Sequence, residues 1–280
     1  MCAGEGSVDL SPARFFRGRL MWEWSRVELG CAFGAVLGSF ANVCIYRVPR
    51  GKSVVLPRSR CPRCLGSIAW YQNIPIFSYF FLGRVCSHCR NPISFRYVLV
   101  EMGMVGLFGV AFAQTSLGIN LILGGVLTFV LMVIAVIDLD FRIIPDVFSL
   151  GLFWMALIVS PLNTGLGFVG IDRVINSVLG AGAGFGSAWL MAEGGRRIFR
   201  REALGGGDVK LLAGLGAILG WRGVMTTWFL SSILGTLVFI WLKTRRKMEW
   251  GAYLPFGPFL AAGAWAHWVW PDFFSRLWGF

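Results

Sequence analysis

Residues 120–146 read NLILGGVLTFVLMVIAVIDLDFRIIPD. No charge falls between Asn120 and Asp138, and the apolar residues run in a block without alternating. Such a block is too long for a buried strand and apolar on every side, so it reads as a helix surrounded by lipid. It stops on Asp138 and Asp140, and Pro145 marks the start of the next element. This stretch sets the fold class: all-α, in a membrane, with carboxylates at a helix end.

The rest of the chain agrees. Of its 280 residues, 56% are hydrophobic and 14% charged, against about 25% charged in an average soluble domain. A single soluble core would not hide that much apolar surface. The composition also excludes disorder, a coiled coil and a disulfide-rich scaffold, and the block pattern argues against a transmembrane barrel. Eight apolar blocks are expected to be transmembrane helices: Val27–Tyr46, Tyr97–Ala113, Asn120–Ile137, Val147–Leu162, Arg173–Ala192, Val209–Trp221, Gly223–Leu242 and Tyr253–Trp270. The sixth is short and is bounded by Arg222, so it either starts below the interface or carries a snorkelling arginine.

The segment from Arg47 to Tyr97 holds nine Lys/Arg and no acid, which marks it as cytoplasmic. Alternating through eight spans then places nineteen of the 26 Lys/Arg inside and both termini outside. The net charge of +12 is therefore loop charge and points to lipid, not to nucleic acid. The first 26 residues run against this pattern with four arginines. They lack an apolar stretch of signal-peptide length, and Phe15–Trp24 reads as an interfacial amphipathic stretch. Three regions follow: an interfacial segment 1–26, a pair of spans 27–113 enclosing the loop 47–96, and a six-helix unit 114–280.

That loop contains Cys61-Pro62-Arg63-Cys64 and Cys86-Ser87-His88-Cys89. Two C-x-x-C pairs 21 residues apart suit a tetrahedral four-thiolate zinc site, a small zinc-ribbon insert between helices 1 and 2. Redox-active dithiols are the competing reading, and His88 is a possible substitute for one thiol. A site closed by four sulfurs is structural, since it leaves no position open for a substrate. Cys2, Cys31 and Cys44 read as small apolar residues in or near the membrane.

Acids are scarce, 14 in all. Alternating topology brings Asp138, at the end of span three, and Asp208, at the start of span six, to one membrane face. Carboxylates at membrane depth are costly and mark function. Two placed together share a proton, so one can activate water while the other polarises a carbonyl. Gly205, Gly206 and Gly207 precede Asp208 and would let a peptide lie against an unwound main chain. Simpler duties stay open: Asp208 could only complement a helix dipole, Asp140 could replace Asp138 or pair with Arg142, and Asp146 suits a first helical turn.

These residues resemble the prepilin peptidases, or type IV leader peptidases. Gly38-Ser39-Phe40-Ala41-Asn42-Val43 with Ile45-Tyr46-Arg47 is similar to the family's first-span ending. The cysteine loop, with Ile68–Pro75 and Pro92–Tyr97, resembles its cytoplasmic insert. Asp138 to Asp146, Gly205-x-Gly207-Asp208-x-Lys210-Leu211, and Pro255-Phe256-Gly257-Pro258 match its remaining motifs. The resemblance implies an enzyme of the bacterial inner membrane with its active site facing the cytoplasm. It would cut the basic leader from type IV prepilins or pseudopilins of a pilus or type II secretion system, then N-methylate the new terminus with S-adenosyl-L-methionine. Asp138 and Asp208 match the family's catalytic pair, with Gly205, Gly207 and Lys210 in the active-site loop. Candidates for the methyltransferase are Gly38, Asn42, Arg47 and Glu101. The glycines at 180, 182, 184 and 186 form no Rossmann motif and read as helix-packing residues, and His267 reads as structural. The competing function is a non-enzymatic membrane assembly factor whose zinc ribbon docks a soluble partner.

Overall fold

A computed structural model describes residues 12–61, 63–81, 83–115, 118–200, 204–245 and 254–279, with side chains from residue 24 onward except at 70, 73 and 199. Among them are nine α-helices: α1 Pro12–Arg47, α2 Phe77–Phe81, α3 Arg96–Gln114, α4 Ile119–Phe141, α5 Asp146–Val159, α6 Gly170–Phe199, α7 Gly206–Thr244, α8 Gly257–Val269 and α9 Pro271–Trp278. No β-strand occurs among the described residues; two isolated bridges, Arg60–Ser67 and Val85–Pro92, lie in the insert between α1 and α3.

Each of the eight apolar blocks overlaps a helix; of the eighth, Gly257–Val269 is helical. Among the described residues five helices are long and apolar enough to cross a membrane; the apolar helix from Asp146 to Leu162 is shorter, and α8 has 13 residues. Blocks six and seven are one continuous element, α7, interrupted at Gly220 (φ 71°, ψ 176°). Gly220, not Arg222, ends the short sixth block. The break frees carbonyls that lipid would leave unpaired, and buried side chains from other elements claim them. Ser177 Oγ donates to the Ala217 carbonyl at 2.7 Å, and Asn163 Nδ2 donates to that of Ile218 at 2.9 Å.

Helix α1 runs antiparallel to α3. Arg26 donates to the Thr115 carbonyl at one end, and Asn42 Nδ2 donates to the Tyr97 carbonyl at 3.0 Å near the other. Gly30, Gly34 and Gly38 lie one turn apart, and a Cβ on any of them would strike the α3 backbone at Phe108, Met104 or Glu101. Small residues at this spacing let two membrane helices meet closely. The same device joins α6 to α7, where Gly180 and Gly184 abut the Gly216 and Leu212 carbonyls. Gly182 and Gly186 face open space, so only one pair of the alternating glycines packs. The stretch read as interfacial is helical from Pro12 and continuous with α1; residues 1–11 and the side chains to 23 lie outside the described residues.

The connections define two ends of the bundle. Arg96 pairs with Asp140, Lys210 with Asp146, and Asp138 with the first amide of α8. These contacts gather Asp138, Asp208 and the cysteine insert at one end. Asn120–Thr164, Leu166–Gly220 and Gly223–His267 contacts mark the opposite end.

Candidate active site and metal centre

Asp138 sits in the last turn of α4. That helix stops at Arg142, which adopts the left-handed conformation (φ 55°, ψ 39°) and donates its N–H to the Asp138 carbonyl. Pro145 then holds extended geometry ahead of α5. The Asp138 side chain is 4% exposed, and its Oδ2 accepts the Gly257 N–H at 2.9 Å. Gly257 opens α8, and a Cβ there would lie 2.7 Å from the same oxygen. The approach therefore requires glycine.

Asp208 is the third residue of α7 and is also 4% exposed. Its Oδ2 accepts the Gly205 N–H at 3.2 Å, which satisfies one of the free amides at the helix start. Its Oδ1 is buried and has no partner. The contacts of Gly207 with Ile144 and of Lys210 with Asp146 bring the end of α4 and the start of α7, which carry the two aspartates, to one place.

The glycines before Asp208 divide their tasks. Gly205 is the extended residue ahead of the helix, Gly206 faces open space, and Gly207 packs against Ile144 of the α4–α5 loop, where a Cβ would meet the Ile144 Cβ at 2.9 Å. Gly207 thus closes the Asp138 and Asp208 loops onto each other. Lys210 Nζ adds a second clasp, donating to Asp146 Oδ1 and Oδ2 at 2.8 and 2.9 Å. Asp140 pairs with Arg96 of α3. A cleft of about 160 Å³ opens beside Gly206, lined by Trp189, Glu193, Arg196 and Leu204 among others. Glu193 holds Arg196 and Arg197.

Gly257 stands in the Pro255–Pro258 motif, but nothing in that motif says that it meets Asp138, 119 residues away.

The two cysteine pairs form matching turns. Cys61 N–H donates to the Gly66 carbonyl and Cys86 N–H to that of Asn91, both at 2.9 Å. Four residues after each leading cysteine, Leu65 (φ 59°) and Arg90 (φ 57°) take left-handed geometry. All four sulfurs lie within 4.8 Å of one another, with Cys61 Sγ and Cys89 Sγ 3.9 Å apart. Four thiolates around one zinc at about 2.3 Å stand about 3.8 Å from each other, so this donor set fits the ion. The Asn91 main-chain and side-chain amides pull the Cys89 thiol down to about 6 and the Cys64 amide lowers that of Cys61, while burial and the neighbouring thiols push Cys64 up to about 11. The first two effects favour the thiolate that a metal binds. His88 is not among the clustered ligand atoms, and its Nε2 meets the Ser67 carbonyl at 3.2 Å.

Gly38, Asn42 and Glu101 come together near the insert. Gly38 packs on the Glu101 backbone, the Asn42 amide lies beside the Glu101 carboxylate, and Glu101 Oε2 accepts the Ile76 N–H at 2.7 Å. Ile76 is held at φ 65°, unusual for a β-branched residue. Arg47 lies apart from this group and folds the start of the insert, donating to the Ser53 and Pro57 carbonyls at 2.9 and 2.7 Å.

Two buried aspartates at one end of a bundle of membrane-length helices, with a four-thiol insert at that end, define the class as a helical membrane protein with a candidate acid site. Sequence comparison places the chain within that class. Residues 32–115 match the Bacterial Peptidase A24 N-terminal domain, and residues 125–240 match the Type IV leader peptidase family. The chain is similar to proteins named "Prepilin leader peptidase/N-methyltransferase" from several bacteria. Identity is 34% with that of Aeromonas hydrophila (90% of this chain, 93% of the relative) and 34% with that of Pseudomonas aeruginosa (87% and 90%). It is 35% with that of Neisseria gonorrhoeae (85% and 88%). No solved structure matches the chain. The chain belongs to the type IV leader peptidase family.

Proposed function

We propose that this chain is a bifunctional enzyme of the bacterial inner membrane. It removes the leader of a type IV prepilin or pseudopilin at the cytoplasmic face and then N-methylates the new terminus. The relatives' printed name supports both activities. The observation that carries the hydrolytic half is the pair Asp138 and Asp208, equally buried, with Asp208 Oδ1 left free.

The pair shares one proton and titrates as a unit. The ionised carboxylate takes a proton from a water as its oxygen attacks the scissile carbonyl carbon. The protonated carboxyl donates to the carbonyl oxygen. Collapse breaks the C–N bond, the proton taken from water goes to the leaving nitrogen, and a hydroxyl of the intermediate returns its proton to the second carboxylate. Both aspartates lie within about one turn of a helix end, the depth at which a substrate's apolar helix gives way to its polar leader. The cleft beside Gly206 gives that leader a path. Asp140, Asp146 and Glu193 pair with Arg96, Lys210, Arg196 and Arg197 at this end and offset most of their charge, which eases the approach of a basic leader to a basic face. The excess of Lys/Arg in the loops at this end supports a cytoplasmic orientation.

The methylating half is assigned to residues 27–113 and the hydrolytic half to 114–280. Cys61, Cys64, Cys86 and Cys89 would hold a structural zinc ion, which ties the two turns of the insert. S-adenosyl-L-methionine would supply an activated methyl group. On the protein side, Glu101 takes the proton of the new amine and Asn42 orients the carboxylate.

The test is cleavage of a prepilin-type substrate by the purified protein in detergent, with products weighed by mass spectrometry. Asp138→Asn and Asp208→Asn should each lower cleavage on the order of 10³-fold or more, with unchanged zinc content. Asp140→Asn should stay within about twofold, since an exposed ion pair contributes little. No cleavage by the wild-type protein would favour the assembly-factor reading.

A further inference from the structure

The insert carries an apolar surface that neither reaction uses. Around α2, Ile74 is 43% exposed, Phe77 63% and Phe81 85%, with Tyr71 and Phe80 exposed beside them. Tyr71, Gln72, Ile74, Phe77, Ser78 and Phe81 line an open cleft of about 400 Å³. An adenosyl group would find few partners there: Gln72 Oε1 already accepts the Ala69 N–H and a bond from Ser87.

The depth of this surface follows from α3. That helix has 19 residues, about 28 Å at 1.5 Å per residue, close to the ~30 Å of hydrocarbon it must cross. Nearly all of α3 is therefore at membrane depth. Glu101 lies five residues in, about 7 Å below the helix start, and its side chain leans back toward that start. Because Ile76 N–H is bonded to Glu101 Oε2 at 2.7 Å, the main chain at Ile76 is tied to the boundary between headgroups and acyl chains. Phe95 and Tyr97, at the start of α3, expose further aromatic surface at the same level.

The segment is fit for that boundary. It satisfies its own backbone: Phe77 N–H donates to the Pro75 carbonyl, Ser78 to Ile74, Gly83 to Phe80 and Arg84 to Tyr79. Arginines follow directly, with the Arg84 guanidinium 6.0 Å from the Tyr79 ring centre, then Arg90 and Arg96, and the whole stretch from Arg47 to Tyr97 contains no acid. An apolar face edged by cations is what anionic lipid recruits.

We propose that Ile74–Phe81 inserts into the leaflet facing the insert, with its aromatics among the acyl chains and Arg84 and Arg90 on anionic phospholipid headgroups. The zinc-ribbon insert is thus moored to the bilayer at a second place besides its two helix junctions.

The test uses the full chain with benzoylphenylalanine in place of Phe81, of Phe77, or of Ser87 at the exposed cysteine turn. Each variant is reconstituted in vesicles of phosphatidylethanolamine and phosphatidylglycerol, then irradiated. Lipid adducts at 81 and 77 should exceed those at 87 at least fivefold, with zinc content unchanged. Yields at 81 and 77 no higher than at 87 would overturn the insertion. So would adducts at 81 that shift from lipid to protein when a prepilin is supplied. In phosphatidylcholine vesicles the yield at 81 should fall at least twofold, and an equal yield there would overturn the assignment of anionic headgroups.

Discussion

The cysteine insert and the α4–α8 bundle solve opposite problems. The insert has little core: four thiols, two matched turns, the Arg47 side chain at its start and the hydrogen bond from Ile76 to Glu101 set its shape. The bundle is close-packed, with Ile134, Leu211, Leu215 and Leu260 fully buried and backbones in contact at Gly180 and Gly216. A chemical group placed by packing is sensitive to single methyl groups, whereas one placed by a metal clip is sensitive to the clip. The two proposed activities should therefore fail separately.

The sharpest separation is expected at Glu101. Glu101→Gln keeps an oxygen for the Ile76 N–H but removes the base. Methylation should fall about 10²-fold, within the range for general-base loss, while cleavage holds. Mass spectrometry of cleaved but unmethylated product reads both at once, and equal loss of both would break the comparison. Next is Gly257→Ala, whose methyl would push on Asp138 Oδ2. Cleavage should fall about 10- to 100-fold, the scale of a small misplacement of a reacting group. Methylation of a pre-cleaved peptide should be unaffected.

Cys61→Ser should abolish zinc binding, measured by metal analysis, and lower methylation about tenfold or the protein level severalfold, because the insert's fold and its metal affinity are one quantity. Cleavage per molecule should stay within about threefold. Full activity with intact zinc stoichiometry would refute the clip. The smallest effect belongs to Lys210→Ala. Its partner Asp146 is exposed, and such pairs contribute about 0–1 kcal/mol, so cleavage should drop no more than about fivefold. A larger loss would mean that Lys210 touches the reacting groups.

Much of this was readable in the sequence, for a physical reason. Membrane helices announce themselves as apolar blocks, metal turns as C-x-x-C, and costly acids as rare letters at block ends. What was hidden depends on contacts between distant residues. Gly257 meets Asp138 across 119 residues, and nothing in either neighbourhood specifies the other. Asn163 and Ser177 look like ordinary polar residues until Gly220 opens the helix they repair. Gly38 is a candidate for chemistry in the sequence, yet Gly30, Gly34 and Gly38 have the spacing of a packed seam, and what the sequence does not name is its partner, the α3 backbone. Asp140 was left undecided between two roles, because its partner Arg96 lies on a different helix.

The repaired break at Gly220 also acts on Asp208, twelve residues away along a straight helical segment. Asn163 and Ser177 come from two separate parts of the chain and grip adjacent carbonyls, so the corner is riveted on both sides. At 1.5 Å per residue the segment is a strut of about 18 Å, footed near the far face of the bundle and carrying a carboxylate at its tip. The depth of that carboxylate is gauged from the opposite side of the membrane, and loops around the carboxylate can change without resetting it.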